Sequence, residues 1–316
     1  MKKILITGAS GFIGNYLCDK LSATGNIVYG AFRQIKCNLK NSKFHKITVG
    51  DIDSKTNWKK ALKSVDYVIH CASVAHEFNY KKKNNYYYSV NVDGTKRLAE
   101  QAAQAGIKRL IFLSTIKVNG ENTDIKNQPN AFFYNDIPQP KDIYSKTKFL
   151  AEKVLRETSN ETKLEIVVLR LPLVYGPNPK GNILRLIKLI NLGFPLPFSL
   201  INNKRSLIGI DNLTDVLSCC LDHPEAKGKT FLVSDGEDIS TPKLVAYMAS
   251  AMGRSIGFFS IPVFLLKFFS CVLGKKYEIK RLTDSLQVDI EYTIKTLNWM
   301  PRVNVYDSIK RMMNKK

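Results

Sequence analysis

Ile4-Leu5-Ile6-Thr7-Gly8-Ala9-Ser10-Gly11-Phe12-Ile13-Gly14 is an apolar run cut short by glycines at 8, 11 and 14, and its reading decides the fold. A strand that ends in such a turn and passes into a helix points backbone amides and the helix N-terminus at one spot. Only glycine lets the backbone come that close to a pyrophosphate. The Gly-x-x-Gly-x-x-Gly spacing differs from Gly-x-Gly-x-x-Gly, and a purely structural strand-to-helix turn is the competing reading. Its place at the start of a βαβ pattern favours a dinucleotide site.

Outward from this turn, apolar runs at Ile4–Thr7, Ile27–Phe32, Lys46–Val49, Tyr67–Cys71, Leu110–Ser114 and Ile166–Arg170 alternate with helical patterns. That alternation predicts an α/β protein, a Rossmann-type doubly wound parallel sheet with helices on both faces. Helices are expected around Asn91–Ala105, where Leu98, Ala102 and Ala105 share a face, and at Tyr144–Glu157; the pair also offers a dimer surface. Beyond Pro172 the pattern changes: Pro177, Pro179, Pro195 and Pro197 bracket a helix at Ile183–Asn191. We therefore expect a dinucleotide-binding domain over 1–171 and a smaller, mainly substrate-binding C-terminal region over 172–316, interleaved with the first.

A chain of 316 residues with 44% hydrophobic composition can bury a sizeable core. The net charge of +21 raises nucleic acid or anionic lipid as partners. The lysines are spread along the chain, however, with no lysine run longer than three and short runs such as Lys81–Lys83, Lys275–Lys276 and Lys315–Lys316. A solvated basic surface is the expectation, and no nucleic-acid partner, despite the aromatics after Lys83. Cysteines at 18, 37, 71, 219, 220 and 271 form no C-x-x-C pair, and the four histidines form no ligand motif. This fits a reducing, cytoplasmic setting without a metal, with His70 packed rather than ligating. Met1-Lys2-Lys3 imitates a signal peptide, but Gly8 ends the apolar run and no cleavage site follows. Residues 258–274 are too short and too interrupted, by Pro262 and Lys267, to span a bilayer. They read as an amphipathic helix packed on its own protein, with peripheral membrane contact as the alternative.

The second strand ends Ala31-Phe32-Arg33, where an acidic residue would accept hydrogen bonds from an adenosine ribose. Arg33, with Lys36, would instead pair with a 2′-phosphate, which tilts the cofactor from NAD(H) towards NADP(H). Asp51-Ile52 is placed to meet the adenine. Cys71-Ala72-Ser73 would pass beneath the phosphates and the nicotinamide ribose.

Tyr144-Ser145-Lys146-Thr147-Lys148 carries the chemistry. A tyrosine with a pKa near 10 is a poor base at neutral pH, and a neighbouring ammonium favours the phenolate. The i and i+4 spacing puts Tyr144 and Lys148 on one helical face. Lys148 could then tune Tyr144 and hold the nicotinamide ribose, while Thr115 completes a relay to the substrate oxygen.

Thr7–Gly14, Asn91-Val92-Asp93-Gly94-Thr95, Ser114-Thr115-Ile116-Lys117-Val118-Asn119-Gly120, Tyr144–Lys148 and Leu169–Pro177 occur in an order that resembles the extended short-chain dehydrogenases/reductases. The likeness is to their nucleotide-sugar epimerase, dehydratase and reductase group and runs nearly end to end. It implies Thr115 as the catalytic serine/threonine, supported by Ser114, with Tyr144 as acid/base and Lys148 as its partner. It implies cofactor contacts from Gly8, Ser10, Gly11, Phe12, Ile13, Gly14, Arg33, Asp51, Ile52, Cys71, Ala72, Ser73, Asn91, Tyr144, Lys148 and Leu171. Asn182 and Arg205 resemble residues that bind a nucleotide diphosphate. Arg281 and Asp284 resemble a motif for phosphate and nucleoside. Two departures, Arg33 in place of an acid and Leu173 in place of a substrate-binding asparagine, set the chain apart from simple UDP-galactose 4-epimerases.

The resemblance implies an NAD(P)-dependent enzyme, a homodimer acting at C4 of a UDP-sugar. The expectation is reduction of a UDP-4-keto-6-deoxy-N-acetylhexosamine for surface polysaccharide, on the ground that Arg33 suits exchangeable NADPH. The alternatives are a UDP-glucose or UDP-N-acetylglucosamine 4-epimerase that recycles a bound cofactor, and a non-catalytic nucleotide- or anionic-surface-binding protein.

Overall fold

The structure, a computed structural model, describes residues 1–35, 43–75, 84–124, 131–179, 181–272 and 274–314. Lys36 of the expected cofactor site, His76 and the Lys81–Lys83 run lie outside them. In the first half of the chain the elements are β1 (Lys3–Thr7), α1 (Phe12–Ala23), β2 (Ile27–Phe32), β3 (His45–Thr48), α2 (Lys59–Leu62), β4 (Tyr67–His70), α3 (Asn85–Tyr88), α4 (Gly94–Gln104), β5 (Arg109–Thr115), α5 (Ile143–Glu161) and β6 (Glu165–Leu171). In the second half they are β7 (Leu173–Tyr175), α6 (Gly181–Leu192), β8 (Arg205–Gly209), α7 (Ile210–Cys220), β9 (Thr230–Leu232), β10 (Asp238–Ile239), α8 (Thr241–Ala251), α9 (Val263–Val272), α10 (Lys276–Thr283), α11 (Glu291–Leu297) and α12 (Val305–Asn314).

Among the described residues, seven strands pair in the order β3-β2-β1-β4-β5-β6-β9, every neighbour parallel. Parallel strands buried on both faces read as continuous apolar runs, which is why Ile4–Ile6, Leu110–Leu113 and Ile166–Leu169 are unbroken. The two-residue period then sorts them. Ile4, Ile6, Ile69, Ile111, Leu113, Val167 and Leu169 face a core completed by α1 and α7. Leu5, Val68, Leu110, Phe112, Ile166 and Val168 face the opposite core, with Leu98, Ala99 and Ala102 of α4 and Ala151 and Leu155 of α5. The doubly wound sheet expected from the sequence is therefore present. β9 comes from the second half of the chain, so both halves contribute to one sheet.

The order reverses between β1 and β4: from β1 the chain goes to β2 and β3 on one side, then crosses to β4 on the other. Ligands of open α/β sheets bind outside the carboxyl ends of strands at such a switch point. A smaller sheet, β10-β8-β7, lies in the second half, backed by a core of α6, α8 and α12 residues including Leu186, Val245, Met248 and Ile309. The segment after α10 ties the two regions together. Ser206 donates its amide to Leu286 O and Leu286 donates to Lys204 O beside β8, while Phe132 donates to Gln287 O and Asp289 donates back to Phe132 O.

Within the apolar stretch 258–274, Val263–Val272 form α9, which packs with only one of its apolar sides. Val263 and Leu266 meet the core and Ser270 is buried, whereas Phe264, Phe268, Phe269 and Val272 face outward. No helix among the described residues is long and apolar enough to cross a membrane.

Candidate active site

The glycine turn caps β1 at the switch point. Gly8 has a φ of +67°, and a Cβ there would lie 2.8 Å from the Ala72 amide nitrogen. A Cβ on Gly14 would strike the carbonyl oxygen of Gly8, so α1 packs on the turn only through a bare Cα. Gly11 donates its amide to Gly8 O at 2.8 Å and leaves α1 without a side-chain cap. Ser10 and Gly11 are exposed, and Phe12 and Ile13 are half-buried at the helix entrance. Uncapped amides at the start of a helix with no acidic residue in its first turn fit a pyrophosphate.

The neighbouring strand ends close round this turn. Ala72 donates its amide to Thr7 Oγ1 at 3.1 Å, which fixes Cys71-Ala72-Ser73 beside β1. Asn91 holds the same loop from the other side: its Oδ1 accepts from Val74 N at 2.8 Å and Ser73 Oγ at 3.1 Å, and its Nδ2 donates to Thr147 Oγ1 at 3.1 Å. Asn91 sits in a π-helical stretch, Ser89–Asp93, that the sequence reading took as ordinary helix. Such a wide turn re-aims a side chain within a helix, here towards the loop and α5 at once. His70 is packed as expected, with Nδ1 2.6 Å from Thr7 Oγ1 and Nε2 2.9 Å from Thr95 Oγ1. Burial lowers its pKa to about 3. Among the described residues no three His, Cys, Asp or Glu side chains are grouped to hold a metal.

At the end of β2, Arg33 forms an ion pair with Asp51 at 2.9 Å and donates to Tyr86 Oη at 3.3 Å. The two residues expected to contact different parts of a cofactor thus contact each other. Ile52 packs beside Gly94, where an added Cβ would meet its Cγ2.

Tyr144 stands in the first turn of α5 and is half-buried, with Lys148 fully buried one turn on. Asp142 caps this helix by accepting from Ser145 N at 2.7 Å, and Lys117 donates to its other oxygen at 2.5 Å. Burial opposes the charge on Asp142, but bonds from Lys117 and Ser145 outweigh it and hold the pKa below the usual carboxylate range. Lys117 follows Thr115 by two residues, so this pair joins the end of β5 to the start of α5. Thr115 is itself buried and accepts from Lys117 N at 3.3 Å. Leu171 lies opposite it in the β5–β6 register.

Burial raises the Tyr144 pKa, and Asp142 and Tyr87 push it the same way. Lys148 has its Nζ 3.9 Å from the centre of the Phe112 ring. Burial lowers its pKa to about 7, while Glu152 and Cys71 oppose the shift.

Beneath lies a network that the sequence reading missed. Ser114 donates to Glu152 Oε1 at 2.5 Å instead of standing free beside Thr115. Arg170 donates from Nη2 to Glu152 Oε2 at 2.7 Å and from Nη1 to Asn119 Oδ1 at 2.9 Å. The available signal was an arginine inside the apolar run of β6, since a buried charge requires a partner.

Three of the four residues expected at the substrate come together. Arg205, at the start of β8, donates to Asp284 O at 2.9 Å. Asp284 closes α10 and pairs with Lys267 at 2.9 Å. Arg281 lies over the Tyr277 ring at 5.2 Å and is near enough to Arg205 to lower its pKa, second to burial and to the opposing effect of Asp284. Asn182 opens α6, whose Arg185 pairs with Glu278 of α10 at 3.7 Å. A cleft of about 410 Å³ is lined by Asn119–Thr123 and by residues from Ala131 to Lys141.

Comparison with known proteins agrees with this architecture. Residues 4–234 match the NAD dependent epimerase/dehydratase family. The chain is 38% identical to a UDP-glucose 4-epimerase of Vibrio cholerae over 98% of its own length and 94% of the relative's. It is 27% identical to an N-acetyl-alpha-D-glucosaminyl-diphospho-ditrans,octacis-undecaprenol 4-epimerase of Escherichia coli O157:H7, over 87% of this chain and 82% of that one. The fold superposes on a UDP-glucuronic acid 4-epimerase from Bacillus cereus in complex with NAD with a TM-score of 0.78, at 24% identity and covering 99% and 96% of the two chains. The chain belongs to the NAD-dependent epimerase/dehydratase family of extended short-chain dehydrogenases/reductases.

Proposed function

We propose that the protein catalyses NAD(P)-dependent oxidoreduction at C4 of a UDP-sugar, foremost as a 4-epimerase, with Tyr144 as acid/base. What supports this reading is the glycine turn at the switch point, the Lys117–Asp142 bond that ties the end of β5, with Thr115, to the start of α5, with Tyr144, and the gathering of Arg205, Arg281 and Asp284 in the second half. The 38% identity to a UDP-glucose 4-epimerase supports the same substrate class.

Gly8, Gly11 and Gly14 would hold the dinucleotide pyrophosphate, with Ser10, Phe12 and Ile13 at the helix entrance. Arg33, Asp51, Ile52, the Cys71–Ser73 loop, Asn91 and Leu171 would border the rest. The bound nicotinamide would supply hydride acceptance and return. Tyr144 would take the C4 hydroxyl proton and later give it back, with Thr115 hydrogen-bonded to the same oxygen. Lys148 would hold the ribose and supply positive charge, Ser114 acting from behind through Glu152. Arg205 and Arg281 would bind the diphosphate with Asn182, and Asp284 would border the nucleoside.

Reduction of a UDP-4-keto-6-deoxy-N-acetylhexosamine, feeding surface polysaccharide, is the second reading, and Arg33 is what favours it. Its engagement with Asp51 weakens that argument, because a 2′-phosphate would have to compete with the carboxylate. The two are separated by incubating the protein with UDP-glucose or UDP-N-acetylglucosamine without reductant, and with the 4-keto sugar and NADPH or NADH. C4 epimers formed without net cofactor use support the epimerase. Stoichiometric loss of reduced cofactor supports the reductase.

A further inference from the structure

We propose that α9 is an interfacial anchor that docks the protein on an anionic membrane surface. A helix on a folded protein normally turns its apolar side inward and its polar side to water. In α9 the arrangement is reversed in part: Ser270 is buried, while Phe264 is 69% exposed, Phe268 62%, Phe269 55% and Val272 72%. These residues recur at helical spacing and so form one outward flank.

The surrounding surface extends the flank. Arg254 donates to Asn191 O at 3.1 Å, and Leu196 donates to Gly257 O at 2.9 Å. Those bonds hold the exposed Leu192 and Phe194 next to the segment that leads into α9 and carries exposed Phe259.

Charge selects the occupant. From Arg254 to Tyr277 the sequence has Arg254, Lys267, Lys275 and Lys276 and no acidic residue. Lys267 is paired with Asp284 at 2.9 Å, which leaves Arg254, Lys275 and Lys276 as the cations beside the exposed aromatics. Such a face matches a bilayer whose headgroups are anionic: rings enter the acyl boundary while the basic groups remain at the phosphates. A second copy of this basic chain would bring like charges together on this face, and helices α4 and α5 offer it a different surface.

Co-sedimentation of the full chain with phosphatidylglycerol/phosphatidylcholine vesicles, against phosphatidylcholine alone, tests the proposal. Binding is expected to the anionic vesicles, to weaken with salt, and to fall about tenfold or more in Phe264→Ser/Phe268→Ser and in Lys275→Glu/Lys276→Glu. Phe268→Trp should show a blue-shifted, intensified emission when those vesicles are added, an independent readout if a serine variant folds poorly. Turnover of a soluble nucleotide sugar by the serine variant should match the parent, so this test does not stand or fall with the C4 reading. Absence of binding, binding indifferent to these substitutions, or a Phe264- and Phe268-dependent dimer in size-exclusion chromatography would overturn it.

Discussion

Arg170 meets Glu152 at two points, Nη2 to Oε2 at 2.7 Å and Nε to Oε1 at 3.1 Å, with the side chains only 3% and 1% exposed. The pair joins β6 to the helix that carries Tyr144 and Lys148, and Ser114 of β5 adds its hydroxyl to the same carboxylate. Removing one partner strands the other charge. Glu152→Ala should therefore lower the unfolding free energy by about 3–5 kcal/mol in urea titration. A joint replacement of Glu152 and Arg170 by apolar residues of similar volume should recover much of that loss. If Glu152→Ala costs nothing, the pair does not hold the active-site helix.

Lys148 gives a pH signature. Burial brings its pKa in the folded protein to about 7, against about 10.4 for a free lysine. Between those values the unfolded chain holds a proton that the folded chain has released, so this group makes stability rise with pH over that window. Below pH 7 the folded protein bears the full cost of the buried charge. Lys148→Met should thus stabilise the protein by roughly 1–3 kcal/mol at pH 6, fade towards no gain near pH 10, and lose activity throughout. Thermal melts across pH measure this, and a variant that is less stable at pH 6 would contradict it.

Gly14 admits no side chain, because its Cβ would fall on the Gly8 carbonyl oxygen. Gly14→Ala should cost about 1–3 kcal/mol and remove the rise in melting temperature on adding NAD+. Gly11→Ala, where the Cβ would stand 3.1 Å from that oxygen, should be milder. An unchanged cofactor response in Gly14→Ala would dissociate the turn from dinucleotide binding.

Cofactor choice should depend on the Arg33–Asp51 pair. Asp51→Asn removes the carboxylate that occupies Arg33 and should shift the affinity ratio towards NADP(H) by about tenfold, while Arg33→Ala should shift it the other way. Calorimetric titration with both cofactors would show it. No change in the ratio for either variant would exclude Arg33 from the ribose end.

Much of this was legible in the chain. Unbroken apolar runs belong to strands buried on both faces, and glycines at 8, 11 and 14 mark the close approach of α1 to β1, so the parallel sheet and the glycine turn followed from local pattern. Asn91 and Tyr144 were recognisable from motif. What escaped depends on contacts between distant segments. Arg33 and Asp51 meet only because β2 and β3 end side by side. Glu152 and Asp142 were within reach: one lies a turn beyond Lys148 and the other caps the helix, but each gains its meaning from a partner on another strand or turn. The outward aromatics of α9 lie in a stretch that reads as an amphipathic helix packed on its own protein, with peripheral membrane contact as the alternative, because composition cannot say which side of a helix finds a neighbour.

In the proposed reaction Tyr144 moves the C4 proton of a nucleotide sugar. Its most direct test is to follow UDP-glucose and UDP-N-acetylglucosamine by proton NMR with the wild-type protein, NAD+ and no reductant, and to repeat the measurement with Tyr144→Phe. The account predicts conversion to the C4 epimer of at least one sugar without net cofactor reduction, slowed by at least about 100-fold in the variant. Undiminished conversion by Tyr144→Phe would contradict it.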